Sequence, residues 1–424
     1  MSKHLLHTPE GVRDIYGEEY AFRMILQNKI HEKLHLYGYH DIETPTFEFF
    51  DVFSKDIGTT PSRELYKFFD KEGNTLVLRP DYTPSMARCA AKYFIDETLP
   101  VRFCYSGKTF TNTSNLQGKL KEVTQMGAEL IGDDSCLADA EMISLVTECL
   151  KNAKLKDFQV SIGNVEFFRG ICEDAGLDEE TELTLREYIS NKNFFAVENL
   201  LVEKEVPFTY KEILLEITEL FGGEEVLCKA EKLACNSKSK EAICRLKELN
   251  TLLKIYGCEN YVSYDLGLLS NYNYYTGVIF KAYTYGVGDT IVKGGRYDTL
   301  LSKFGKNAAA IGFAITVDDL ANALVRQNIR LKAEDNSTCL VFRSEYYEKA
   351  LSIAHFLRVD GMPVELVQME SGNSISNYVE YADDHLHTVL MIVENSTQAL
   401  MIEVKSGEEK QVPIEAITET KNEE

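Results

Sequence analysis

His31 and His35 stand four residues apart, the spacing that sets two imidazoles on one face of a helix and can bind a metal ion. No cysteine or acidic motif accompanies them in the sequence, so solvent-facing or interface histidines are the plainer reading. Between Asp41 and Ala354 there is no histidine, which leaves a Ser–His or Cys–His nucleophile without its base over most of the chain. Ten cysteines, from Cys89 to Cys339, form no CxxC pair and read as buried, reduced thiols. Gly286-Val287-Gly288 reads as a hairpin turn, because a phosphate loop would be followed by Lys-Ser/Thr. Lys293-Gly294-Gly295-Arg296 gathers two cations and reads as a structural turn. A phosphate clamp calls for guanidinium groups, yet from Pro80 to Glu166 the only arginines are Arg88 and Arg102.

The elements that would position such residues follow from periodicity. Residues 19–37 predict an amphipathic helix, with Phe22, Ile25, Leu26, Ile30, Leu34 and Tyr37 on one stripe and Gly38 just past its end. Strands are expected at 42–46, 76–78, 101–105 and 158–162. Between the last two, 133–153 predicts a helix with Ser135 as N-cap and Leu137, Ile143, Val146 and Leu150 buried. From about 166 to 255 the chain turns Leu- and Glu-rich with helical period, as an inserted helical subdomain would. Strands resume at 261–266, 274–283 and 290–292, and a strand–helix unit closes the segment at 309–325. Hairpins interrupted by helices indicate an α+β core over 1–330. Residues 331–337 read as a linker. Segments 339–342, 346–357, 364–367, 375–382 and 388–393 then alternate strand and helix, as in a small α/β domain over 338–418. The tail from Thr418 is expected to fray.

The 424 residues carry a net charge of -22, which opposes contact with nucleic acid phosphates. The bias is local as well. No Lys or Arg occurs from Val359 to Val404, while Asp360, Glu365, Glu370, Glu380, Asp383, Asp384, Glu394 and Glu403 add negative charge. No apolar run approaches the roughly 20 residues that span a bilayer. The N-terminal MSKHLLHTPEGVRD has no signal-peptide core, so a cytoplasmic protein is expected.

Several motifs occur together in order: Thr8-Pro9-Glu10-Gly11-Val12-Arg13-Asp14, Leu78-Arg79-Pro80-Asp81-Tyr82-Thr83-Pro84, Gln125-Met126-Gly127-Ala128-Glu129, Tyr274-Tyr275-Thr276-Gly277, Gly294-Gly295-Arg296-Tyr297-Asp298 and Ile311-Gly312-Phe313-Ala314. Over nearly the whole chain this resembles the histidyl-tRNA synthetases and their paralogues, the regulatory subunits of ATP phosphoribosyltransferase. The resemblance implies a class II synthetase-like antiparallel sheet with a helical insertion, followed by an anticodon-binding-like α/β domain. It also implies a two-fold dimer built around the first helix and the strand ending at Thr44-Pro45.

The departures separate the two paralogues. The synthetases place an arginine and a glutamate where this chain has Thr111 and Thr113, and the arginine clamps the ATP α-phosphate. A second arginine, near the carboxylate, aligns with Ser270. A third, which stacks on adenine, aligns with Asp319, and Asp318 beside it adds negative charge. Losing one charged transition-state contact costs around 10²–10³ in rate, so three losses leave no useful aminoacylation. On the amino-acid side, Asp81, Thr83, Gln125, Glu129 and Tyr275 match positions that hold histidine, although Asp81 is one methylene shorter than the family glutamate. Two readings fit these five: a histidine pocket, or polar partners holding hairpins together.

The resemblance therefore implies a non-catalytic regulatory subunit for the first step of histidine biosynthesis, in which ATP and phosphoribosyl pyrophosphate combine. It would need no cofactor or metal, and its partner would be a short-form catalytic chain. Homodimers within a hetero-oligomer are expected, with L-histidine as effector and no nucleic acid or membrane partner. The alternatives are an active synthetase with an atypical ATP site, or a histidine-sensing binding module.

Overall fold

A computed structural model describes residues 6–54, 57, 60–113, 119–269, 274–331 and 337–418. The chain divides into two compact units, one of residues 1–14 with 26–330, the other of residues 15–25 with 331–424.

The first long helix, α1, runs Gly17–Leu36, and Gly38 follows in a left-handed conformation (φ +79°). Its expected stripe is largely realised, since Leu26, Ile30 and Leu34 are fully buried. Glu18 and Glu19 in the first turn and Lys33 and His35 in the last suit the helix dipole. The short strand β1 (His40–Asp41) comes next, then β2 (Phe47–Phe49), β3 (Lys67–Phe69) and β4 (Thr75–Leu78), which form a small sheet in the order β2-β4-β3. Residues 42–46, expected as a strand, fall between β1 and β2. Pro45 interrupts the ladder there, having no N–H to donate.

Helix α2 (Thr83–Tyr93) leads into the long hairpin β5 (Val101–Phe110) and β6 (Glu122–Ile131). Helix α3 spans Cys136–Asn152 and is capped by Ser135, whose side chain accepts from the Ala138 amide. Ile143, Val146 and Leu150 are fully buried, whereas Leu137 is exposed. The inward face of the first turn is taken by Ala138 and Asp139 instead. Strand β7 (Phe158–Asn164) precedes the expected helical stretch. That stretch comprises α4 (Val165–Asp174), α5 (Glu179–Ser190), α6 (Phe194–Glu203), α7 (Phe208–Glu216), the two-residue β8 (Phe221–Gly222), α8 (Glu225–Leu233) and α9 (Ser237–Ile255). Strands β9 (Val262–Asp265), β10 (Val278–Thr284), β11 (Val292–Arg296) and β12 (Ala310–Thr316) follow, and α10 (Val317–Arg326) completes the unit.

Nine strands make one sheet in the order β1-β5-β6-β12-β11-β10-β7-β9-β8. From β5 across to β7 every pairing is antiparallel, and only β1/β5 and β7/β9 are parallel. The expected α+β class is therefore the observed one. Gly286 turns the β10–β11 connection at φ +92°, as its reading as a hairpin turn anticipates. Lys293-Gly294-Gly295-Arg296, by contrast, is strand and not turn. A Cβ at Gly294 would lie 2.4 Å from the Phe280 ring, and one at Gly295 would lie 2.7 Å from Tyr275. The glycines serve close side-chain approach to a strand rather than chain reversal.

In the second unit, β13 (Thr338–Phe342), α11 (Tyr347–Val359), β14 (Val364–Gln368), α12 (Ile375–Asp384) and β15 (Val389–Val393) lie close to the expected segments. A hairpin, β16 (Gln398–Glu403) and β17 (Glu409–Pro413), and the short α13 (Ile414–Thr418) complete it. The sheet order is β14-β13-β15-β16-β17, with apolar clusters on both faces, one around Leu340 and Ile353, the other around Val341 and Tyr378. Within the Lys- and Arg-free span, Glu365 is bound by His387 (2.6 Å) and by the Tyr381 hydroxyl (2.6 Å). Residues 332–336 of the expected linker and 419–424 of the tail lie outside the described residues.

Candidate functional site

The register of β6 against β12 places Glu129 opposite Gly312. A Cβ on Gly312 would stand 1.6 Å from Glu129 Oε2, so only glycine lets the carboxylate lie across the strand. Thr83, at the start of α2, donates its hydroxyl to Glu129 Oε1 at 3.0 Å, and the Tyr297 hydroxyl donates to Oε2. Asp81 Oδ1 accepts from the Thr83 amide at 3.1 Å. Three distant segments thus converge on one buried carboxylate.

These groups border a cavity of about 70 Å³ lined by Asp81, Tyr82, Thr83, Tyr105, Gln125, Tyr274, Tyr275, Lys293, Gly295, Tyr297, Gly312, Phe313 and Ala314. With about 10–15 Å³ needed to hold one water, that is room for several waters. Its wall is an aromatic stack: Arg79 lies 4.0 Å over the Tyr82 ring, and Tyr82 stacks on Tyr105 at 4.1 Å. Tyr297 meets Tyr274 edge-on at 6.0 Å. A larger cavity of about 690 Å³, lined by Phe94–Leu99 and Gly305–Ala309, lies elsewhere in this unit. None of the expected site residues borders it.

Burial dominates the electrostatics. It pushes the Glu129 carboxyl up to about 8, against hydrogen bonds from Tyr297 and Thr83 that pull it down. Asp81, with one backbone hydrogen bond, is raised to about 7. Two carboxyls held this way favour an added cationic or N–H-rich ligand, because such a ligand stabilises their ionised forms. Gln125 Oε1 is buried and accepts no hydrogen bond from any described residue, which costs about 1–3 kcal/mol unless a donor is supplied. Four of the five expected pocket residues, Asp81, Thr83, Gln125 and Tyr275, line the one cavity; Glu129 does not line it but is hydrogen-bonded to two residues that do, Thr83 and Tyr297. Tyr82, Tyr105, Tyr297 and Lys293 join the four, none of which was assigned to the pocket from the sequence. Tyr82 and Tyr297 lay within quoted motifs and Lys293 within the basic cluster, whereas Tyr105 carries no local signature.

Of the three positions expected to mark lost ATP or activation contacts, Thr111 and Asp319 are described. Thr111 follows β5, and its amide donates to the Lys121 carbonyl at 2.9 Å. Asp319 sits in the first turn of α10, its carboxyl raised to about 6 by burial and then by Asp289 and Asp318. Asp318 itself is buried and accepts from the Thr124 amide at 2.7 Å, so it ties α10 to β6 in place of adding open charge. Ser270 lies outside the described residues. Arg88 binds Glu48 and Arg102 binds Glu141. Arg296, in the basic cluster, is buried against Asp139. Among the described lining residues Lys293 is the one cation.

The histidyl-tRNA synthetase family profile matches residues 11–320. The ATP phosphoribosyltransferase regulatory subunit of Acetivibrio thermocellus is 40% identical over 366 residues, covering 86% of this chain and 88% of that one. Its counterpart from Ruminiclostridium cellulolyticum is 35% identical over 407 residues, or 96% and 97% of the two chains. The chain belongs to the ATP phosphoribosyltransferase regulatory subunit family. A solved member from Bacillus halodurans, described as an ATP phosphoribosyltransferase regulatory subunit/histidyl-tRNA synthetase, superposes with a TM-score of 0.82 at 31% identity, covering 92% of this chain and 99% of that one. Histidyl-tRNA synthetase from Nostoc gives a TM-score of 0.81 at 20% identity over 97% and 98%, a likeness of fold.

Proposed function

We propose that the chain is the non-catalytic regulatory subunit of an ATP phosphoribosyltransferase, required for the first step of histidine biosynthesis. It supplies no reacting group. It assembles with a short-form catalytic chain as homodimers within a hetero-oligomer, and couples that chain's conformational equilibrium to L-histidine. The observation that carries this reading is the contrast within one site. On the side read as the amino-acid pocket, Glu129 is hydrogen-bonded to Thr83 and Tyr297, while a threonine and an acid stand at Thr111 and Asp319. We assign Asp81, Thr83, Gln125, Glu129 and Tyr275 to histidine, with Gln125 Oε1 as an acceptor in need of a donor. A cytoplasmic setting fits a chain in which no described helix is long and apolar enough to cross a membrane, and no nucleic acid partner is expected.

An active synthetase is the reading to exclude. Purified chain free of host synthetase should give no histidine-dependent ATP–pyrophosphate exchange above a no-protein background, and no charging of histidine tRNA. Exchange above background would overturn the proposal. Restoring arginine at Thr111 alone should not rescue exchange, because residues that act as a unit are not additive.

A further inference from the structure

Helix α1 and the sheet edge bring together donors that are far apart in sequence. His31 and His35 lie one turn apart with ring centroids 4.0 Å from each other. Both aim Nε2 at the same carboxylate: His31 at Asp41 Oδ1 and His35 at Asp41 Oδ2, each at 2.7 Å. Asp41 is on the edge strand β1 and is the register partner of Cys104 on β5. Neighbours in register share a face, so the thiol reaches the same spot, 3.4 Å from Asp41 Oδ1. Tyr105, the next residue along β5, points to the opposite face and lines the amino-acid pocket. The two places are chemically separate.

Two nitrogens, one carboxylate oxygen and one sulfur all lie within 4.8 Å of one another. A tetrahedral zinc ion has ligands at roughly 2.0–2.3 Å, which requires donor separations of about 3.3–3.7 Å. Small side-chain rotations bridge that difference. A hydrogen-bonded cluster alone would satisfy Asp41 with the two histidines and has no need of a thiol as fourth member. We propose that His31, His35, Asp41 and Cys104 form a binding site for a divalent transition metal of the zinc class, which clamps α1 to the edge of the sheet. Mixed nitrogen, oxygen and thiolate donors select such ions over magnesium or calcium. Cys104 is buried while the side chains of His31, His35 and Asp41 are about half exposed. The ion therefore enters from solvent, and the thiol proton leaves to solvent as it binds.

Cobalt(II) is the probe, titrated into full-length, chelator-treated chain. The exposed Cys228, Cys235 and Cys244 are replaced by serine so that they cannot contribute thiolates. One equivalent should bind, with d–d bands and a thiolate-to-cobalt charge-transfer band, and zinc should displace it. His31→Asn and His35→Asn, at half-exposed positions, should stay folded by circular dichroism and weaken binding by at least about tenfold each. Cys104→Ser should abolish the charge-transfer band. The proposal is overturned if no saturable equivalent binds, if the band survives Cys104→Ser, or if affinity is unchanged in the folded His31→Asn/His35→Asn double variant.

Discussion

Replacing Asp139 with alanine should destabilise the first unit by about 3–5 kcal/mol, the usual cost of breaking a buried ion pair. Asp139 is fully buried on α3. Its Oδ1 accepts from Arg296 Nε (2.9 Å) and Nη2 (2.6 Å), and its Oδ2 accepts from Arg245 Nε (2.6 Å). It therefore joins the helix, the β11 strand and α9 through one carboxylate. Alanine would leave the Arg296 guanidinium buried with Asp298 as its remaining acid, at 3.2 Å. Arg245, partly exposed, can turn to water, so most of the loss lies with Arg296. Urea unfolding should show a lower midpoint with little change in slope. Asp139→Asn, which keeps an acceptor, should cost less. A loss under about 1 kcal/mol for the alanine variant would mean that the pair is no more than a surface-like bridge.

The second large effect concerns Glu129. Burial raises its carboxyl from the ordinary 4.5 to about 8. The folded chain thus keeps a proton that the unfolded chain releases above about 4.5. Its contribution to stability is complete below 4.5, declines as pH rises, and is gone above about 8, with a ceiling of roughly 5 kcal/mol. Asp81 acts in the same direction between 3.8 and about 7. Glu129→Gln should remove roughly half of this slope and leave the Asp81 part, and it should stay folded, since the Thr83 and Tyr297 hydroxyls can rotate to accept from an amide. A histidine ligand would favour ionised Glu129 and so expel a proton near neutral pH. Titration calorimetry should then give heats that vary with the ionisation heat of the buffer. In Glu129→Gln that variation should shrink, and affinity should fall by about 1.5–3 kcal/mol. Equal affinity in both forms would remove Glu129 from the histidine site.

Much of this was legible in the sequence because it is local. The α1 stripe, the Ser135 cap and the strand–helix alternation around 338–393 each depend on neighbours within a few residues, and they fell where periodicity put them. Leu137 did not. Helical spacing alone cannot say which face of the first turn meets the sheet, and Ala138 with Asp139 took that face. Lys293-Gly294-Gly295-Arg296 was misread as a turn because paired glycines signal reversal locally. Their reason is contact with Phe280 and Tyr275. Tyr297 reaches Glu129 across 168 residues, and Cys104 reaches Asp41 across 63. Such pairings are set by sheet register, which no local pattern encodes. Thr83 was named from motif order, whereas the reach of the Tyr297 hydroxyl to Glu129 shows only in the fold.

The most direct test of the regulatory role is the rate of phosphoribosyl-ATP formation by a short-form catalytic chain, measured with and without this protein at saturating ATP and phosphoribosyl pyrophosphate. The account predicts that the two chains co-purify, that the rate depends on adding this one, and that L-histidine lowers the rate of the complex. A catalytic chain that runs equally fast alone, with no complex on mixing, would contradict it.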